Sequence, residues 1–253
     1  MSETLMRFII VCPMTFAAGF VDSIAGGGGL ISLPAYLIAG LPAHTAIATN
    51  KMSSSMGTAM AVLRYASEKY ILWKIAALCA LCAYVGSFTG AKLSLLIDEH
   101  LLKVLMLFII PLTALYTQSR HSFSADGQTK FSTAKTAALC AAAVFIIGMY
   151  DGFYGPGTGT FLLLTLTGLA RMRLNEANGI AKFINLVTNI AALLIFLRAG
   201  KVDIALGVTA GAFSIAGNYI GASFFTKRGA EAVRPLVFIV LTIFFIKILT
   251  ELF

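Results

Sequence analysis

The sequence predicts an all-α polytopic membrane protein built from two homologous repeats, read as inverted, each carrying a broken or re-entrant helix. Three observations point there. Hydrophobic residues make up 58% of the chain and charged residues 12%, about half the roughly 25% charge of a soluble domain, and the mean hydropathy is +0.88. Short apolar pieces are interrupted by glycine and proline at matching places in the two halves, and the second half replays special residues of the first. A helical crossing takes about 20 apolar residues, so the chain has room for about seven to nine crossings with short loops and none for a separate soluble enzyme domain.

Leu5 to Ile24 is apolar and long enough to form the first helix. Arg7 before the run Phe8 to Phe16 imitates a signal peptide, but Gly19 to Asp22 belong to the repeated motif, so the segment is expected to stay. Four glycines, Gly26 to Gly29, then interrupt the helix, because glycine is a poor helix former that lets backbone approach closely. Leu30 to Ala39, with Pro34 inside, is too short to span and reads as a half-helix. Leu41 to His44 is expected to be a turn, with His44 a polar turn residue. A helix from Thr45 or Thr49 to Leu63 follows, then one from Ile71 to Leu95 and one from Leu101 to Tyr116 broken by Pro111. The extended polar segment near mid-chain divides the sequence into a first repeat (1–117), a connecting loop (118–135) and a second repeat (136–253).

The duplication rests on two registers. One offset places Lys51 on Lys182, Ser54 on Asn185, Thr58 on Asn189, Gly86 on Gly217 and Gly90 on Gly221; an offset two residues shorter places Asp22 on Asp151, Gly26 on Gly155 and Gly28 on Gly157. One register holding special residues together over so long a stretch is the mark of an internal repeat. Basic residues favour Arg64 to Lys74 in the first half but Lys227 to Arg234 in the second, and a bias that swaps between halves favours inverted topology.

The net charge of +8 sits mostly in short connections, where it orients a membrane protein on anionic headgroups; nucleic acid is not an expected partner. Cys12, Cys79, Cys82 and Cys140 lie in apolar surroundings and are read as packing residues, with no disulfide framework, metal site or cofactor called for. Gly86, Gly90 and Ala91, like Gly217, Gly221 and Ala222, read as close helix packing.

The chemistry gathers on two helical faces. Lys51, Ser54, Ser55 and Thr58 fall at i, i+3, i+4 and i+7, and Lys182, Asn185 and Asn189 repeat the spacing, so each helix offers one cation and a ladder of hydrogen-bond donors. The glycine segments add helix starts with free N–H groups, Gly27 and Gly28 in one half and Gly157 and Thr158 in the other, which attract negative charge. Neither is a dinucleotide or P-loop fingerprint, since no strand precedes and no GK[ST] follows. A bland alternative has the lysines snorkelling to headgroups with Thr49 and Asn50 as helix caps. Asp22 and Asp151 are candidates for coupling to protons, or salt-bridge partners of the lysines. Tyr150 and Tyr154 flank the second motif and could bound a pocket or sit at the membrane interface.

The set GFVDSIAGGGG with ATNKMSSSMGT, and YDGFYGPGTGTF with GIAKFINLVTN, resembles the TauE/SafE sulfite exporter family over nearly the whole chain. The resemblance implies a multi-pass transporter of the bacterial cytoplasmic membrane that moves sulfite, organosulfonates or related sulfur-containing anions, commonly outward. The residues by themselves support a duplicated carrier with a cationic, donor-rich central site for a small anion, with proton coupling preferred over sodium. An anion channel and a carrier of non-sulfur organic anions stay open as alternatives. An enzyme is disfavoured by the lack of a G-x-S-x-G motif or paired metal-binding histidines.

Overall fold

The computed structural model describes residues 3–105, 108–109 and 134–228. All regular structure among them is helical. The break at Pro111 and most of the 118–135 connection lie outside the described residues, as does nearly all of the basic stretch Lys227 to Arg234.

Helix α1 (Glu3–Ala25) ends where Gly26 and Gly27 take φ of 74° and 92°, a left-handed backbone that glycine alone adopts without strain. After this bend comes α2 (Gly29–Ile38), whose ten residues rise about 15 Å, half the thickness of a bilayer core. The half-helix expected from sequence is therefore present. Helix α3 runs from Ala43 to Ser67, starting earlier than the Thr45 or Thr49 expected. Pro42 stands at its N-cap, and Glu99 Oε1 accepts the first free N–H, from Ala43, at 2.7 Å. Thr49 and Asn50 are consequently mid-helix and buried, not caps. His44, expected in a turn, is a buried residue of the first helical turn, with Nε2 3.0 Å from Ser94 O.

Helix α4 (Trp73–Leu96) and a helical segment at 99–105 complete the described part of the first half. In the second half come α5 (Ala134–Phe153), the short α6 (Thr158–Gly168), α7 (Leu174–Arg198) and α8 (Ile204–Arg228). Gly155 and Gly157, at φ of 105° and 88°, make the bend before α6. Among the described residues four helices, α1, α4, α7 and α8, are long and apolar enough to cross a membrane, and shorter apolar helices accompany them. Helix α3 is as long as α7 but carries a polar ladder that lowers its hydropathy.

The helices pack across the two halves. Helix α4 lies along α5, with Gly86 and Gly90 against the backbone of Phe145 and Met149; α8 lies along α1, with Gly217 and Gly221 against that of Phe16 and Phe20. At each of these glycines an added Cβ would strike a neighbouring main chain, so the stripes are helix contacts, as the spacing predicts. Helices α3 and α7 occupy the middle: 61% of the α7 span is buried against 44% for each of the other three spans. The outer faces of α4 and α8 expose Leu78, Leu81, Val85, Ile204, Val208 and Ile220, the surface a hydrocarbon phase would cover.

Candidate functional site

The middle position of α3 and α7 brings their polar faces together with both bends. Gly26 packs on the backbone of Gly159 and Thr160, Gly29 faces Pro156, and the Thr160 hydroxyl donates to Ala25 O at 3.1 Å. The starts of the two half-helices thus meet at one place. The carbonyls freed where α1 ends are met by side chains: Tyr65 donates its hydroxyl to Ser23 O at 2.5 Å, and Asn178 Nδ2 donates to Ile24 O at 3.1 Å. Such side-chain bonds are what permit irregular backbone at membrane depth.

Both lysines are buried, Lys51 at 2% and Lys182 at 1% exposure, so neither snorkels to the headgroups. Each reaches the carboxylate of the other half. Lys51 Nζ lies 2.8 Å from Asp151 Oδ2, and Lys182 Nζ donates to Asp22 Oδ2 at 2.8 Å. Ion pairs this buried require close partners, because an uncompensated charge in a low-dielectric interior costs several kcal/mol, roughly 3–5 when one partner is removed. Asp22 Oδ1 also accepts the Gly28 N–H at 3.2 Å, placing its negative charge at the start of α2. Asp151 Oδ2 receives no aligned hydrogen bond from the described residues.

Between these pairs lies a cavity of about 30 Å³, room for about two water molecules. Lys51, Ser54 and Thr58 line it from α3, and Asn185 and Asn189 from α7. Gly27 and Gly28 contribute from the first bend, Gly157 and Thr158 from the second, and both aspartates border it. Lys182 is not in the wall; its ammonium stands behind Asp22. Ser55 turns back, its hydroxyl donating to Lys51 O at 2.7 Å. Tyr154 is buried away from the wall, and Tyr150 donates its hydroxyl to Pro156 O at 2.6 Å, bracing the second bend.

Sequence reasoning missed part of the wall: Thr15 of α1, Ser32 of α2, Asn50 and Ser53 of α3, and Ser214 and Asn218 of α8. The signal for the last two was available. Ser214 and Asn218 are polar residues four apart on a largely apolar helix, on either side of Gly217.

A family model described as sulfite exporter TauE/SafE matches residues 11–248 of the chain. Among curated proteins, the chain is 34% identical over 247 residues to the "Probable membrane transporter protein ORF9" of Sinorhizobium sp, covering 98% of this chain and 93% of that protein. It is 31% identical over 257 residues to the "Probable membrane transporter protein YfcA" of Escherichia coli strain K12, covering 98% and 95%. A "Probable membrane transporter protein" of Haemophilus influenzae is 31% identical over 231 residues, covering 91% and 89%. No solved structure matches the chain.

Proposed function

The chain belongs to the sulfite exporter TauE/SafE family of membrane transporters, and from that premise we propose that it carries sulfite, organosulfonates or related small sulfur-containing anions across the bacterial cytoplasmic membrane, outward, by alternating access around the cavity between α3 and α7. The carrying observation is the pair of buried lysines, each held by the aspartate of the opposite half at the wall of a cavity rimmed by two half-helix starts. The substrate-binding set is Lys51, Ser54, Thr58, Gly27, Gly28, Gly157, Thr158, Lys182, Asn185 and Asn189. The Asp22 carboxylate occupies the place an oxyanion takes, between Lys182 and the Gly28 N–H. An arriving anion replaces it, and the lysines alternate between carboxylate and substrate.

Charge balance makes protons the coupling ion. Two lysines and two aspartates sum to zero charge, so a monoanion brings an excess negative charge that one proton on Asp22 or Asp151 removes. The two halves are a duplication in inverted orientation; the matched glycine contacts of α4 on α5 and α8 on α1, and the crosswise ion pairs, support this reading.

The test is ligand-induced thermal stabilisation of the purified protein by sulfite, sulfoacetate, taurine and sulfate. A sulfur anion at about 100 times its Kd adds about 2.7 kcal/mol of stability, and Lys51→Ala and Lys182→Ala each abolish that gain. A well-folded protein that none of the four stabilises, or variants that keep the gain, would overturn the reading.

A further inference from the structure

Outside the two central bends, four described residues have positive φ, and each follows a helix end: Gly40 at 81°, Lys69 at 59°, Arg171 at 50° and Gly200 at 65°. In the register that places Lys51 on Lys182, Gly40 falls on Arg171 and Lys69 falls on Gly200. Three of these ends close in the same way, with the next N–H donating five residues back: Leu41 to Tyr36 O at 3.2 Å, Tyr70 to Tyr65 O at 3.0 Å and Lys201 to Phe196 O at 3.1 Å. Such a closure favours glycine, because a Cβ crowds the left-handed backbone. In each repeat pair glycine holds one position and a long basic residue the other.

The two basic positions share one end of the molecule. Gly179, near the start of α7, packs on the Tyr70 carbonyl, so the α3–α4 turn with Lys69 stands beside the α6–α7 turn with Arg171. The two glycine positions share the opposite end, where Thr49 Oγ1 of α3 accepts the Asp203 N–H of the α7–α8 turn at 3.0 Å. At the first end Lys69, Lys74, Arg171 and Arg173 are exposed against Glu176, since Glu68 pairs with Arg64 at 3.1 Å. Trp73 beside Lys74 is 53% exposed, an indole placed as in the headgroup layer. At the opposite end Lys103, Arg198 and Lys201 are matched by Asp98, Glu99 and Asp203.

Lys69 and Arg171 have no ion-pair partner among the described residues. A side chain held in left-handed backbone costs stability that glycine would spare, and a strained position points to a function. We propose that this end docks on the anionic phospholipid headgroups of the cytoplasmic leaflet, so that the Lys69 and Arg171 turns face the cytoplasm and the Gly40 and Gly200 turns face the periplasm. Anionic headgroups draw basic residues to that leaflet and set the orientation of a membrane protein. The surface goes beyond the transport reading and is independent of the cargo.

Thermal unfolding of the purified full chain in neutral detergent, titrated with phosphatidylglycerol or phosphatidylcholine, tests the surface. Phosphatidylglycerol is expected to stabilise the wild type and phosphatidylcholine to do so far less. Without lipid, Lys69→Gly/Arg171→Gly should unfold at a higher temperature than wild type, because the strain is gone. It should also need about 30-fold more phosphatidylglycerol for the same stabilisation, about fivefold for each basic residue lost at an anionic surface. Arg198→Gln/Lys201→Gln removes equal charge from the opposite end and should titrate as wild type does. Equal stabilisation of wild type by the two lipids, the same stabilisation by inorganic phosphate, an equal loss in both double variants, or a glycine variant less stable without lipid would each overturn the docking surface. Orientation has its own readout, a membrane-impermeant maleimide on intact cells with the wild type and its four native cysteines as blank. Lys201→Cys should label in intact cells and Ser67→Cys only after lysis; the reverse pattern, or labelling of both in intact cells, would overturn the orientation.

Discussion

The two ion pairs at the centre of the molecule have the same residues, the same 2.8 Å separation and a matching position in each half, yet they are differently held. Asp22 is 14% exposed, takes an aligned hydrogen bond from Lys182 and accepts the Gly28 N–H as well. Asp151 is 2% exposed, and Lys51 approaches its Oδ2 without hydrogen-bond alignment. Charge identity is thus matched while solvation is not. On the proton coupling proposed above, the difference assigns the exchanging role to Asp22, which has some exposure and a second donor, and leaves Asp151 to balance charge in the interior.

The largest expected effect tests that separation. Lys51→Ala strands a fully buried carboxylate and should cost roughly 3–5 kcal/mol, whereas Lys182→Ala should fall at or below the lower end of that range, since Asp22 keeps a backbone donor and some water. Thermal unfolding in detergent reads both. The double variant Lys51→Ala/Asp151→Ala should recover most of the loss, because the stranded charge goes with its partner. Equal losses from the two lysine variants would break the comparison.

The next effect is on transport. Asp22→Asn imitates a permanently protonated carboxyl and should flatten the dependence of proteoliposome uptake on pH, while wild-type uptake rises as the substrate-entry side is acidified, because protonation supplies the missing positive charge. Asp151→Asn should lower stability and uptake but leave the pH dependence in place. A flattened profile from Asp151→Asn with a normal one from Asp22→Asn would reverse the two roles.

Much of this centre was legible from residues because the cues were strong locally. Glycine runs can only be breaks in an apolar helix, and the i, i+3, i+7 spacing puts Lys51, Ser54 and Thr58 on one face however the helix is packed. Which aspartate each lysine meets was not legible, since that depends on how the halves interleave: Lys51 lies 100 residues from Asp151 in sequence yet touches it. The start of α3 was misplaced for a similar reason. Its first free N–H is met by Glu99, a side chain from the helical segment that follows α4, and no local pattern announces it. Ser214 and Asn218 escaped although their spacing was visible, because α8 carries other polar residues and only the cavity sets this pair apart.

A smaller effect bears on the bends. Gly155 has φ of 105°, and a Cβ there would stand 2.9 Å from Lys51 Nζ and 3.1 Å from Asp151 Oδ1. Gly155→Ala should cost about 1–3 kcal/mol from backbone strain and also reduce ligand binding by disturbing the Lys51–Asp151 pair. Gly40→Ala is the control, with φ of 81° and no atom within 4 Å of the added carbon. It should cost about 1–2 kcal/mol from the left-handed backbone alone and leave ligand stabilisation intact. Loss of ligand stabilisation in Gly40→Ala would show that backbone strain anywhere reaches the site, and would remove the special standing of Gly155.

The smallest effect concerns a support found beside one bend. Tyr65 donates to Ser23 O at the end of α1 and receives Asn178 Nδ2 at 3.2 Å; in the shared register Tyr65 falls on Phe196, which has no hydroxyl. Tyr65→Phe therefore gives the first half the side chain of the second. The variant removes the two bonds of the hydroxyl, but Asn178 remains to serve Ser23 O at 3.4 Å and Ile24 O at 3.1 Å, so no carbonyl is left bare and the expected cost is about 1 kcal/mol. The ring stays packed against Phe225, so the volume is unchanged. Because Ser23 follows Asp22 directly, the variant loosens the end of α1 that carries Asp22. Uptake should then change more than stability does, with unfolding temperature nearly constant and the pH dependence shifted. A stability loss well above 1 kcal/mol with unaltered pH dependence would mean that the Tyr65 network holds the fold and has no part in setting the Asp22 pair apart from its counterpart.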